Sequence, residues 1–298
     1  MKQKSVLLPD AGILAEKASL LRLRARTLSD SLRAGSSRSF YKGRGIDFSG
    51  VREYLWGDDI RSIDWNVTAR MGKPFVKLFE EERELIVFLV VDMSSSMNSG
   101  SKRRSRLTTA AETAALLILS SVHNASPIGA VFFDGEIFFS SAPKNKKDHA
   151  MLLFSKLNLP PPKNKSGTAL PQALRGAAKL LKNRSLVIII SDFRCGGYEE
   201  ELALLAQKHE VVGICITDPS EEALPPCGSL LFSDTESGIR MILPTSSEHF
   251  KREWKDFHKR HAERRQMMLL RRGVSYMHIS TEEDPLYALV RFFSSREN

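Results

Sequence analysis

Cysteine is scarce in this chain. There are three in 298 residues, Cys195, Cys215 and Cys227, and no two share a CxxC spacing. That excludes a disulfide framework and a thiolate zinc site, and it predicts the reduced thiols of a cytosolic protein. Long apolar runs are lacking too, since no stretch approaches the roughly 20 residues needed to span a bilayer. The apolar segment near the N-terminus is closed at once by Pro9-Asp10, too short for a secretory leader. The expectation is a cytoplasmic protein with no transmembrane segment. Familiar catalytic signatures are also missing. Gly72-Lys73 has neither the upstream glycine nor the following hydroxyl of a phosphate loop. GxSxG and HExxH do not occur. His123, His149, His209, His249, His258, His261 and His278 show no metal-motif spacing and read as surface or packing residues. No internal repeat is evident.

What is present is ordinary globular material, 42% hydrophobic and 27% charged, with a net charge of +9. That is enough for one large α/β domain with additions, or for two small ones. Much of the positive excess lies in Arg22–Arg33 and Lys251–Arg272. In the second stretch Trp254, Phe257, Met268 and Leu269 recur at helical spacing on what would be the opposite face. The plain expectation is an amphipathic helix with a solvated basic face. A surface for nucleic acid, anionic lipid or an acidic protein is the alternative.

Residues 11–33 read as a helix with Ile13, Leu14, Ala18, Leu21, Ala25, Leu28 and Leu32 as its apolar stripe, broken by Gly35-Ser36-Ser37. Residues 35–84 are glycine-punctuated and form a small β-rich elaboration with strands near Val51–Leu55 and Phe75–Phe79. From Leu85 strands and helices alternate, which implies βαβ units and a doubly wound, mostly parallel sheet. Asp134-Gly135 marks a tight hairpin. A pair of short strands near 228–244 interrupts the alternation. The division expected is 1–34, an N-terminal helix; 35–84, the elaboration; and 85–298, the α/β domain with its hairpin insertion.

The most informative stretch is Leu85-Ile86-Val87-Phe88-Leu89-Val90-Val91, followed directly by Asp92-Met93-Ser94-Ser95-Ser96. An apolar run without polar alternation predicts a parallel strand buried on both faces. Asp92, Ser94 and Ser96 then lie on the loop at its carboxyl end, the edge where open α/β sheets bind ligands. Gly167-Thr168 precedes a helix, and Ser191-Asp192 closes a second apolar strand, Leu186–Ile190. Two carboxylates and three hydroxyls make a small cage of hard oxygen donors. Such a cage suits Mg²⁺, with Mn²⁺ or Ca²⁺ as alternatives. Taken singly, Asp-x-Ser-x-Ser after a strand is an ordinary helix cap and turn. The combination of the three segments points to a metal.

This constellation resembles the metal-ion-dependent adhesion site of von Willebrand factor type A domains. The resemblance implies Asp92, Ser94, Ser96, Thr168 and Asp192 as metal ligands, and a von Willebrand A or Rossmann-like architecture. The preceding segment narrows the resemblance. Gly43-Arg44-Gly45-Ile46-Asp47-Phe48, Val51-Arg52-Glu53-Tyr54, Gly57-Asp58-Asp59-Ile60-Arg61-Ser62-Ile63-Asp64-Trp65 and Phe79-Glu80-Glu81-Glu82-Arg83 are similar to the domain-of-unknown-function 58 family. So are Arg271-Arg272-Gly273-Val274 and Thr281-Glu282-Glu283-Asp284-Pro285-Leu286. Members of that bacterial family carry this segment before a von Willebrand A-like domain and are often encoded beside MoxR-type AAA+ ATPases. The resemblance therefore implies an adaptor or co-chaperone of such an ATPase, binding an exposed acidic residue of its partner through the metal. Asp58, Asp59 and Asp64 are read as turn caps and partners of Arg52, Arg61 or Arg70 rather than as a second site.

An enzyme is not expected. A haloacid-dehalogenase-type phosphatase would need an aspartate where Ser94 stands, and Ser94 has no evident histidine base. A metal-dependent phosphoesterase, and a basic-surface binder of nucleic acid or anionic membrane, are the alternatives to a protein-interaction module.

Overall fold

The computed structural model describes residues 8, 11–19, 46–81, 85–101, 104–159, 169–224, 228–233 and 240–295. The chain divides into two compact units, Ser31–Glu84 and the remainder, Met1–Asp30 with Leu85–Asn298.

In chain order the elements are α1 (Ala11–Ser19), β1 (Ile46–Glu53), α2 (Trp65–Met71), β2 (Phe75–Glu81), β3 (Val87–Asp92), α3 (Arg106–His123), β4 (Ile128–Asp134) and β5 (Glu136–Lys144). They continue with α4 (Lys147–Leu157), α5 (Leu170–Leu180), β6 (Leu186–Ser191), α6 (Glu199–Lys208), β7 (Glu210–Thr217), β8 (Ser229–Ser233), β9 (Arg240–Pro244), α7 (Glu248–Arg271), β10 (Ser275–Ser280) and α8 (Pro285–Ser294).

In the smaller unit β1 and β2 pair antiparallel. The three acids between them are structural. Asp58 accepts from both Arg52 Nη atoms at 2.7 and 2.9 Å, and Asp59 accepts from Arg61 N at 2.9 Å. Asp64 caps α2 by accepting from Asn66 N and Val67 N. Helix α2 is not visible as a hydrophobic periodicity, since it buries no residue. It exists because Asp64 satisfies its first N–H groups and Gly72, at φ 69°, closes it in the left-handed region.

The larger unit is built on a six-stranded sheet in the order β10-β7-β6-β3-β4-β5, and α/β overall with a mostly parallel sheet is the architecture observed. Only β5 runs antiparallel, joined to β4 through Gly135 at φ 61°, the hairpin expected at Asp134-Gly135. Strand β3 is central and buried along its whole length. Its side chains alternate between two cores. Val87, Leu89 and Val91 face the core completed by α1, α3, α4 and α8. Phe88 and Val90 face the core completed by α5, α6 and Leu269 of α7. Apolar burial on both faces explains why the run has no polar alternation.

Helix α1 belongs to this unit, with Leu14 and Ala18 buried in the first core and Lys17 Nζ 2.9 Å from Asp284 Oδ2. Residues 20–33, the remainder of the expected first helix, lie outside the described residues, as does Cys227. Helix α7 departs from the expected two-faced pattern. Leu269 is its one buried residue, Trp254 is half-buried, and Phe257 is 51% exposed. Among the described residues no helix is long and apolar enough to cross a membrane.

Candidate metal centre

The strand order decides where the acids meet. From β3 the chain moves to β4 and β5 on one side, then returns to β6 on the other side of β3. The direction of winding therefore reverses at the carboxyl ends of β3 and β6, where such sheets open a crevice. Val91 pairs with Ile190, so the next residues, Asp92 and Ser191, stand side by side and Asp192 follows.

Each group is held by local structure. Met93 and Met97 are fully buried, and Met93 N donates to Phe133 O at 2.9 Å, so the loop after β3 is pinned at two points. Between them Ser94 N donates to Asp92 Oδ1 at 3.0 Å, and the Ser94 and Ser96 hydroxyls lie 3.1 Å apart. The Ser191 hydroxyl donates to Asp92 Oδ2 at 2.6 Å and accepts from Phe193 N at 3.0 Å. Phe193 adopts φ 51°, a region that costs a bulky residue roughly 1–3 kcal/mol. The buried Phe193 ring, 6.0 Å from that of Tyr198, sets this turn and so fixes the residues on either side of it.

Asp192 Oδ1 accepts from Arg194 N at 3.1 Å. Its Oδ2 is buried and has no hydrogen-bond partner, and Arg194 Nε stands 3.7 Å away. Burial, and then the neighbouring charge of Asp192, push the Asp92 carboxyl up to about 6. The Ser191 and Ser94 donors oppose that rise without cancelling it.

These are the properties a hard divalent cation would use. The donors are carboxylate and hydroxyl oxygens, one buried carboxylate oxygen lacks a donor, and two acids crowd each other until a positive charge joins them. Among the described residues no three His, Cys, Asp or Glu side chains cluster as metal ligands. The set depends instead on two carboxylates with hydroxyls. Of the five residues singled out from sequence, the structure gathers Asp92, Ser94, Ser96 and Asp192. Thr168 lies outside the described residues.

Sequence reasoning missed the shell behind the acids. Arg194 Nη2 is 2.9 Å from Glu221 Oε1, which also takes Arg106 Nη2 at 2.7 Å and Asp218 N at 3.1 Å. Arg106 further donates to the Ser99 hydroxyl. Burial alone would raise the Glu221 carboxyl, but Arg194 and Arg106 outweigh it and hold it below the usual range. Asp218 accepts from Ser101 N at 3.0 Å, Thr281 Oγ1 at 2.9 Å and Ser220 Oγ at 2.6 Å. Burial alone would raise its carboxyl, but the Ser101 and Ser220 donations outweigh it and depress the carboxyl as well. One local signal was available: Asp218-Pro219-Ser220-Glu221 is a capping box just beyond a strand. A further strand-end acid, Asp134, is buried with Oδ2 unpartnered, and burial pushes its carboxyl up to about 6.

The chain is similar over 289 residues to an uncharacterised protein of Mycobacterium tuberculosis, 28% identical and covering 95% of this chain and 90% of the relative. An uncharacterised protein of Mycobacterium bovis matches to the same extent. Among solved structures, the conserved hypothetical protein BatB from Bacteroides thetaiotaomicron aligns with a TM-score of 0.47 at 19% identity. That alignment covers 72% of this chain and 98% of BatB. The family model for the protein of unknown function DUF58 matches residues 50–265, well over half of the sequence. The chain belongs to the DUF58 family.

Proposed function

We propose that this chain is a magnesium-dependent protein-interaction module whose larger unit is a von Willebrand factor type A-like domain. In this reading Asp92, Ser94, Ser96, Thr168 and Asp192 hold the ion, with Mn²⁺ or Ca²⁺ as substitutes. One observation carries it: Asp92 and Asp192 close adjacent central strands, and Asp192 Oδ2 is buried without a donor. When bound, the cation would supply an electrophilic position for a carboxylate of a partner protein.

The chain's own residues do the positioning. Ser191 and the Ser94 amide align Asp92, the two methionines anchor the hydroxyl loop, and Arg194 offsets part of the negative charge near Asp192. The Ser94 hydroxyl lies 3.1 Å from that of Ser96 and also hydrogen-bonds the Asp92 carboxyl, which keeps the oxygens of this loop together. The partner proposed is a MoxR-type AAA+ ATPase or its client, presenting an exposed acid. That choice rests on the family resemblance, and the site chemistry is compatible with it.

The test is a pull-down of the MoxR-type ATPase by the full chain in Mg²⁺, in EDTA, and in Mg²⁺ with Asp92→Ala. Retention in the first condition alone is expected. Equal recovery in all three would overturn the proposal.

A further inference from the structure

Next to the strand-end acids, a cleft of about 350 Å³ opens between the segment Phe193–Glu199 and helix α7. Arg194, Arg264 and Arg265 line it together with His258, Phe257 and a single acid, Glu199. Arg194 is engaged by Glu221, and burial lowers the pKa of the His258 imidazole and disfavours its charged form. Arg264 and Arg265 make no ion pair among the described residues. Arg265 Nε and His258 Nε2 are buried and have no hydrogen-bond partner. A guanidinium donor removed from water and left without an acceptor is costly, which favours an anion from outside the chain.

The wall of the cleft is aromatic as well as basic. Phe257 is 51% exposed, and its ring centroid is 4.2 Å from that of His261 and 5.4 Å from that of His258. This leaves an open apolar ring face bordered by guanidinium groups. A volume of about 350 Å³ falls within the range of small-ligand pockets. Inorganic phosphate would meet the cations but leave the ring uncovered. An acidic peptide would do the same, because carboxylates offer nothing to stack. A planar base joined to a phosphate engages both halves.

We propose that this cleft binds a nucleoside phosphate, with the phosphate on Arg264 and Arg265 and the base against Phe257. The site is independent of the proposed cation site, although Arg194 borders both. Binding is therefore measured in EDTA.

Isothermal titration of the full chain with AMP, ATP and GTP, and with inorganic phosphate and a polyglutamate peptide as comparators, tests it. At least one nucleotide should bind with a dissociation constant below about 1 mM and about tenfold or more tighter than inorganic phosphate. Arg264 is exposed, so Arg264→Gln should keep the wild-type circular dichroism while weakening nucleotide binding about tenfold. Phe257→Ala should weaken nucleotide binding about fivefold and leave phosphate binding unchanged. The proposal fails if no nucleotide binds at about 5 mM, roughly −3 kcal/mol or weaker. It also fails if phosphate or polyglutamate binds as tightly as any nucleotide, or if both variants bind like the wild type.

Discussion

Replacing Glu221 by Gln tests whether the ionic cluster behind the acids organises this end of the sheet. The substitution keeps the side chain's size but removes the charge that two guanidinium groups share at 2.7 and 2.9 Å. Its new amide donors would also face other donors. The two arginines respond differently. Arg194 has a side chain 37% exposed and can turn toward water, so its share is small. Arg106 is 4% exposed and keeps only the Ser99 hydroxyl. Breaking a buried pair by removing one partner costs roughly 3–5 kcal/mol. With one arginine able to escape, the low end, about 3 kcal/mol, is expected. For a unit of this size that lowers the melting temperature by roughly 6–12 °C.

Urea unfolding followed by circular dichroism at pH 7 measures the effect. The double variant Arg106→Met/Glu221→Leu should recover much of the loss, because an apolar pair leaves no charge unpaired. The sign with pH follows from the depressed carboxyl. Its stabilisation is complete above the unfolded value of about 4 and is lost as pH falls through the lower folded value. The wild-type advantage over Glu221→Gln should therefore shrink below about pH 4. A Glu221→Gln protein within about 0.5 kcal/mol of wild type at pH 7 would refute the reasoning.

Asp134 should behave in the opposite sense, because burial raises its carboxyl to about 6. The penalty exists above that pH and vanishes below about 4, so Asp134→Asn should stabilise the protein by roughly 1–3 kcal/mol at pH 7.5 and have no effect at pH 4. A gain that persists at pH 4 would contradict this. If the cation reading holds, Mg²⁺ at ten times its dissociation constant adds about 1.4 kcal/mol to unfolding stability. Asp192→Asn should abolish that increment, and an unchanged increment by thermal melting would count against Asp192 as a ligand. A Cβ at Gly129 would lie 2.7 Å from Pro143 N and 2.8 Å from Ser141 O, both main-chain atoms. Gly129→Ala should therefore cost about 1–3 kcal/mol in urea unfolding, and a neutral result would mean that β5 yields easily.

The sequence by itself determined the elements whose physics is local. The unbroken apolar runs of Val87–Val91 and Leu186–Ile190, short and rich in β-branched residues, read as strands covered on both faces. Asp134-Gly135 could hardly be other than a tight turn. The strand-end acids Asp92 and Asp192 were legible for the same reason, as the first acids after such runs. Helix α2 escaped because capping by Asp64 and Gly72, not an apolar face, defines it.

The tertiary structure alone decided which strand ends are neighbours. Nothing local places β6 beside β3 on the side away from β4, because that choice is made by crossovers spanning many residues. Only that order brings the Ser191 hydroxyl to Asp92. The Arg106–Glu221 pair, 115 residues apart in sequence, depends on the same order. Packing likewise decides α7, whose spacing predicts a covered apolar stripe but whose Phe257 stands open to the cleft while Arg265 Nε is buried without a hydrogen-bond partner. Periodicity shows that a helix has two faces, and only the packing of its neighbours determines how much of the apolar one is covered.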